Sequence, residues 1–246
     1  MLLNLNISMI GGLAMINVLI AEDNVPISVH LSNVIYLTKE VHGVSIVNEG
    51  QNVYPMIKKL RPHVVVLDLK LPGEDGITIL KKIEADPELE GIKIIVYSGE
   101  PSYIKQLVDF SCVERFFNKT QQYEEVGMEI KRIAKMFEEK NIENKIYDIL
   151  TNKIGFASHH IGTKFLKECV EYSIKNNEDK LNVLYDKVAI GKKQSSTSIK
   201  GDINRAVKEM WKYANHEKVR RLLRLGDTEI ASPKNVIPMV KYYVGK

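Results

Sequence analysis

Asp68 stands at the end of the apolar run Val64-Val65-Val66-Leu67, and a turn containing Pro72 and Gly73 follows at once. Three other polar groups hold matching places: Glu22-Asp23 after residues 16–21, Ser98 after 92–97, and Lys119 after 115–118. If those runs are strands of one parallel sheet, all four finish at the carboxyl edge, where open α/β sheets place their ligands. Three carboxylates converging there repel one another, and a hard divalent cation such as Mg²⁺, with its preference for oxygen ligands, relieves that repulsion. A carboxylate nucleophile can take a phosphoryl group as an aspartyl-phosphate. Such transfer is mostly positioning plus neutralisation of the equatorial oxygens. With Asp68 as acceptor, the cation and Lys119 supply the neutralisation, and Ser98 a hydrogen bond.

The elements that must position these groups follow from the hydrophobic pattern. A run apolar at every position fits a strand covered by helices on both faces. Strands are expected at 16–21, 43–48, 64–67, 92–97 and 115–118, with helical stretches near 25–39, 51–60, 75–85, 102–110 and 121–139. Regular alternation of this kind predicts an α/β fold with a doubly wound, five-stranded parallel sheet.

On these residues the segment 15–138 resembles the receiver domain of two-component response regulators, whose sheet is flavodoxin-like. The resemblance implies that Asp68 is the phosphoacceptor and that Glu22 and Asp23 are the acidic pair holding Mg²⁺. Asp68 itself and the backbone carbonyl of Lys70 complete the implied metal ligands. Ser98 matches the hydroxyl that bonds the phosphoryl group, Lys119 the invariant lysine, and Phe116 the aromatic switch position. Thr120 stands where the family usually has proline. The Lys70 side chain is either a solvated loop lysine or a group that reaches over the site and alters the phosphoryl lifetime.

Charge divides the chain. Residues 141–246 carry 20 Lys and Arg against 12 Asp and Glu, a formal +8, whereas residues 1–140 carry 15 against 19, a formal −4. An acidic first half with a basic second half suggests a signal-receiving module joined to one that binds a polyanion. The two cysteines, Cys112 and Cys169, share no motif and fit structural thiols in a reducing cytoplasm. The apolar start has no basic residue ahead of it, which argues against a signal peptide. Residues 1–14 are expected to be disordered or to come from an upstream start codon, and the charged stretch 138–141 to act as a short linker.

From residue 142 onward apolar residues recur at helical spacing, so the domain 142–246 is expected to be all-α. Its informative stretch is 184–213, where an apolar helix face gives out near Gly191 and a polar turn follows. Ser195, Ser196 or Thr197 can then N-cap a second helix that buries Ile199, Ile203 and Met210. The opposite face carries Ser198, Lys200, Gly201, Asn204, Arg205 and Lys208, with Thr197 at its start. Such a pattern reads as a helix-turn-helix whose second helix enters the major groove of double-stranded DNA. An ordinary helical hairpin with a solvated basic face is the plainer alternative. Lys218, Arg220, Arg221 and Arg224 are either phosphate contacts or a solvated face. Four phosphates engaged would give a salt slope of about −3.6. His159, His160 and His216 have no metal-ligand partners at useful spacing.

Residues 142–244 resemble the DNA-binding effector domain of the stage-zero sporulation protein A family, through 146–155, Tyr185–Ala189 at 185–189 and 206–211. The resemblance implies a bundle of about six helices that binds duplex DNA as a dimer. Family base-reading positions, occupied there by arginine, glutamate and arginine, fall here on Ser198, Lys200 and Gly201. A different recognition sequence is therefore expected, with Asn204 suited to adenine and Lys200 to guanine.

Together these readings predict a phosphorylation-controlled, DNA-binding transcription regulator that is not an enzyme. A histidine kinase or phosphotransfer protein is its expected phosphoryl source, and a homodimer its expected form on phosphorylation or on DNA. The competing expectation is a receiver-linked protein-interaction or RNA-binding, antiterminator-like regulator.

Overall fold

The computed structural model describes residues 8–10, 13–99, 101–119 and 123–246. The chain divides into two compact units, Met1–Glu138 and Glu139–Lys246.

The first unit is built on strands β1 (Ser8–Ile10), β2 (Leu13–Ala21), β3 (Val41–Val47), β4 (Val64–Leu67), β5 (Lys93–Ser98) and β6 (Val113–Asn118). Strands β2 to β6 are all parallel, in the spatial order β3-β2-β4-β5-β6. Helices α1 (Val25–Tyr36), α2 (Gly50–Leu60), α3 (Gly76–Glu84) and α4 (Ile104–Leu107) connect them in sequence. The alternation within β4 explains its uniformly apolar sequence. Val65 and Leu67 pack with Val53 and Ile57 of α2 and Ile79 and Leu80 of α3. Val64 and Val66 face the other way, into a cluster with Leu31 and Ile35 of α1 and with Val126 and Ile130. Both faces are buried, as a doubly wound sheet requires.

Three expectations are corrected here. Strand β1 pairs antiparallel with the start of β2, Ser8 opposite Met15, so part of the 1–14 segment belongs to the sheet. Residues 1–7 and 11–12 lie outside the described residues, as does Thr120. The helix expected at 102–110 is only a 3₁₀ turn, Pro101–Tyr103, followed by the single turn of α4. Its apolar residues do not sustain one face: Leu107 is buried, while Val108 is 82 % exposed. The supposed linker at 138–141 is helical, because α5 runs unbroken over Tyr123–Asp148. No Gly or Pro interrupts it after Gly127, and Ile142 and Ile146 carry on the apolar spacing into the second core.

The second unit contains the end of α5, one π-helical turn at Ile149–Ile154, α6 (Ile161–Asn176), α7 (Leu181–Ala189), α8 (Ser196–Tyr213), α9 (His216–Leu223) and α10 (Pro233–Val244). Its core gathers Ile146, Leu150, Phe165, Leu166, Leu184, Ile199, Ile203 and Ile237. Gly162 is placed by contact rather than by conformation. A Cβ there would stand 2.1 Å from the Asp202 carbonyl oxygen, so only glycine lets α6 and α8 approach this closely. No helix among the described residues is long and apolar enough to cross a membrane.

Candidate functional site

Parallel pairing brings the four strand ends together. Ala21 lies beside Leu67 in the register of β2 and β4, so Glu22 and Asp68 leave the sheet side by side. The Asp68 N–H donates to the Ala21 carbonyl (2.9 Å), continuing the ladder one residue past the strand. Ser98 ends β5 next to β4, and the Lys119 N–H donates to the Ser98 carbonyl (3.2 Å) beyond β6. Beyond Asp68, Gly76 keeps the loop tight: a Cβ would come within 2.8 Å of the Asp68 carbonyl oxygen.

The side chains then converge. Lys119 Nζ donates to Asp68 Oδ2 (2.7 Å) and to Glu22 Oε1 (2.9 Å). Its distance to Glu22 Oε2 is 2.8 Å, a close ion pair without a hydrogen bond of its own. The Lys70 N–H donates to Asp68 Oδ1 (3.2 Å), so both carboxylate oxygens of Asp68 are held. Glu22, Asp23 and Asp68 each offer an oxygen, all within 4.8 Å of one another, with Asp23 exposed and the other two buried. Ser98 Oγ is fully buried and has no hydrogen-bond partner among the described residues. Phe116 is half-buried against the apolar cluster of β4, α3 and α4, one residue before the buried Phe117.

Electrostatics in this pocket follow from burial. Desolvation pushes the Glu22 carboxyl above its ordinary range, Lys119 pulls against that, and Asp68 adds repulsion. Burial works against the Lys119 charge as well, but hydrogen bonds to Asp68 and Glu22 outweigh it and raise the ammonium above its usual value. Three carboxylates against one ammonium leave a site with a formal charge of −2. A donor set of oxygens with excess negative charge fits Mg²⁺, and an orphaned buried hydroxyl fits an incoming acceptor oxygen.

Sequence reading missed the groups that brace Glu22. The Asn24 N–H donates to Glu22 Oε1 (3.2 Å), and Asn48 Nδ2 donates to the Glu22 carbonyl (2.7 Å). Asn24 acts through its backbone two residues on, whereas the Asn48 amide is marked only once β2 and β3 are known to be neighbours.

In the second unit α7, a turn containing Gly191 at φ 75°, and α8 follow one another across the stretch 184–213. Of the three candidate caps, Ser195 is the one used, accepting from the Ser198 N–H (3.2 Å). Thr197, Ser198, Lys200, Arg205 and Lys208 are exposed, and Gly201 and Asn204 half-buried, around a buried stripe of Ile199, Ile203, Ala206 and Met210. Two residues in this region escaped notice: Asp202, buried within the apolar stripe, and Gln194 in the turn, which donates to it (3.2 Å). His160 is structural, its Nδ1 accepting from the Gly162 N–H (3.2 Å) at the start of α6. The arginines in and just after α9 each contact a neighbouring side chain. The Arg220 guanidinium lies 5.5 Å from the Trp211 ring centre, Arg224 lies 4.7 Å from that of Tyr242, and Arg221 pairs with Glu217 (3.0 Å).

Comparison with known proteins agrees with both halves. Residues 18–131 match the family model for the response regulator receiver domain. Residues 146–241 match that for the sporulation initiation factor Spo0A C terminal. Sporulation initiation phosphotransferase F of Bacillus subtilis is 30 % identical over 99 residues, 40 % of this chain and 78 % of that protein. Sensory transduction protein LytT of Oceanobacillus iheyensis is 24 % identical over 190 residues, 68 % of this chain and 75 % of that one. Among solved structures, a DNA-binding response regulator of the LuxR family from Staphylococcus aureus has 24 % identity and a TM-score of 0.45, covering 49 % of this chain and 99 % of that chain. With its receiver match, its carboxyl-edge aspartate and its sporulation-type C-terminal half, the chain belongs to the response regulators and is a phosphorylation-controlled, DNA-binding transcription regulator.

Proposed function

We propose that Asp68 is the residue phosphorylated, within a receiver domain of residues 15–138, and that the domain 142–246 reads duplex DNA through α8. The observation that carries this reading is the contact of Lys119 with Asp68 beside the unpartnered Ser98 hydroxyl. Asp68 is buried at a strand end, and each of its carboxylate oxygens accepts a hydrogen bond there, from the Lys70 N–H and from Lys119. Glu22, Asp23, Asp68 and the Lys70 carbonyl would hold Mg²⁺. Bound there, the ion neutralises phosphoryl oxygens during transfer. Lys119, an ammonium in contact with Asp68, would stabilise the charge that develops on the phosphoryl group, and Ser98 Oγ would donate its hydrogen to a phosphoryl oxygen. That donation draws Ser98 towards the acceptor, and Phe116 moves with it. The surface carrying α4 and α5 is then repacked, the packed element turning one local charge into a larger change.

The phosphoryl source is a histidine kinase or phosphotransfer protein, and the phosphorylated form is a homodimer on DNA. The protein acts in the cytoplasm and carries no catalytic task beyond its own phosphorylation. Incubating the full chain with Mg²⁺ and a small acyl-phosphate donor tests this, with gel retardation that detects aspartyl-phosphate and a duplex-DNA binding titration. The expected result is one phosphoryl group per chain and tighter DNA binding, both lost in Asp68→Asn. Phosphoryl incorporation that persists in Asp68→Asn overturns the assignment.

A further inference from the structure

Among the described residues, Arg205 is the one exposed residue of α8 whose cation is bound to a carboxylate. Its guanidinium Nη2 donates to Asp202 Oδ1 one turn back along the helix. Its Nη1 lies 3.6 Å from the place a Cβ on Gly201 would take, so the side chain is folded towards the amino end of α8, across the gap that Gly201 leaves. Helical side chains lean in this direction by default. The carboxylate that holds it does not swing freely. The Asp202 side chain is 7 % exposed, and its other oxygen accepts from Gln194 Nε2 (3.2 Å) in the turn. A carboxylate only accepts, so the nitrogen of Gln194 must be the amide atom facing it. The backbone at Asp202 is fixed in turn by the close packing of Gly162 against its carbonyl.

We propose that Arg205 reads a guanine base edge and that Asp202 is the positioning residue that aims it. This rests on the DNA-binding reading above and names a specificity-determining pair within it. A phosphate needs only a point charge, and an arginine whose charge is largely offset by a neighbouring carboxylate is a poor phosphate ligand. The exposed Lys200 and Lys208 on the same face serve that purpose better. A planar fork of donors with its charge offset and its orientation fixed suits a neutral acceptor pair instead. Guanine O6 and N7 are such a pair in the major groove. Asp202 occupies one edge of the guanidinium, and the side chain remains 66 % exposed, which leaves donors for the base.

The test is selection of bound duplexes from a random pool by the full chain, phosphorylated with Mg²⁺ and an acyl-phosphate donor, followed by salt titrations on the selected site. Wild-type protein should select a site with a required guanine. Arg205→Lys should lose about tenfold of that preference while the other positions stay as they were. Its slope of log K against log salt should be unchanged, because the charge and the phosphate contacts remain. Asp202→Asn should relax the same base position, and the freed guanidinium should steepen the salt slope by about 0.9. Arg205 lies on the surface, so its variant keeps the test decisive should Asp202→Asn fold poorly. If both variants select the wild-type site with every base preference intact, the pairing with guanine is overturned. A uniform loss of affinity in Arg205→Lys, with every base preference kept, would likewise overturn it, by making Arg205 a phosphate contact. Failure of the wild-type chain to bind any duplex would instead bring down the DNA-binding reading itself.

Discussion

Lys119 and Asp68, 51 residues apart, meet at 2.7 Å because β6 and β4 flank β5 in the same parallel sheet. The contact gives the Asp68 carboxylate a cation on one side, and Ser98 stands at the end of the intervening strand. With Asp68 as the proposed phosphoacceptor, attack uses one of the oxygens that Lys119 and the Lys70 N–H now hold, so both donors lie close to the charge that develops.

Removing that cation should therefore slow phosphorylation more than it disturbs the fold. A charge-assisted hydrogen bond contributes about 1.5–3 kcal/mol. Lys119→Met should thus form aspartyl-phosphate about 10- to 100-fold more slowly from a small acyl-phosphate donor. Initial rates of phosphoryl incorporation measure this, and a rate equal to wild type would remove Lys119 from the transfer step.

The excess negative charge at Glu22, Asp23 and Asp68 predicts that Mg²⁺ stabilises the folded chain. At ten times its dissociation constant, an ion that binds only the folded state adds about 1.4 kcal/mol. Thermal melts across a Mg²⁺ series should show a rising midpoint for wild type and little rise for Asp23→Asn. Asp23 is exposed, so its variant tests the ligand without a cost in packing. Equal shifts in the two proteins would place the ion elsewhere.

Much of the receiver half is legible from sequence because its signals are local. Each strand is a short apolar run, and each site residue comes immediately after one. Where the signal depends on a partner, the sequence is silent. Asn48 looks like the last residue of a strand until β3 is seen to lie beside β2, and Asp202 interrupts an apolar stripe for a reason that lies in the preceding turn. The segment 138–141 reads as a linker because it is charged, but charge sets exposure and not backbone conformation. Residues of good helix propensity with no Gly or Pro continue a helix through it. At 102–110 the reverse holds: composition suits a helix, yet with Val108 turned to solvent too little of it is packed, and short helices need packing to persist.

His63 gives the receiver unit a measurable acid sensitivity. Its ring is buried, its Nδ1 accepts from the Asn17 N–H (3.0 Å), and its Nε2 has no partner. Burial lowers its pKa from 6.5 to about 4. Between those values the unfolded chain binds the proton and the folded one does not, so stability falls as pH falls through that window. The contribution is complete above about pH 6.5, and by pH 5 about 2 kcal/mol of it should be gone. Urea midpoints at the two pH values measure the loss. His63→Asn, which keeps an acceptor for Asn17, should start less stable and lose less over the same interval. An equal loss in wild type and variant would assign the acid sensitivity to other groups.

The basic residues of the second unit separate into two kinds, and salt dependence distinguishes them. Lys208 is exposed on the outer face of α8, whereas Arg224 stacks on Tyr242 and Arg220 on Trp211, which itself stacks on His216 at 4.5 Å. A side chain engaged with an aromatic face contributes roughly 0.5–1 kcal/mol to stability at an exposed site, and leaves that face only at that cost. A lysine that neutralises one phosphate contributes about 0.9 to the slope of log K against log salt. Lys208→Ala should therefore make the slope shallower by about 0.9 with no change in melting temperature. Arg224→Ala should do the opposite, lowering the melting temperature while the slope stays as in wild type. DNA titrations from about 50 to 200 mM salt resolve a difference of that size. A slope that flattens equally in Arg224→Ala would show that the arginine leaves Tyr242 for a phosphate, and would bring α9 into the DNA interface beside α8.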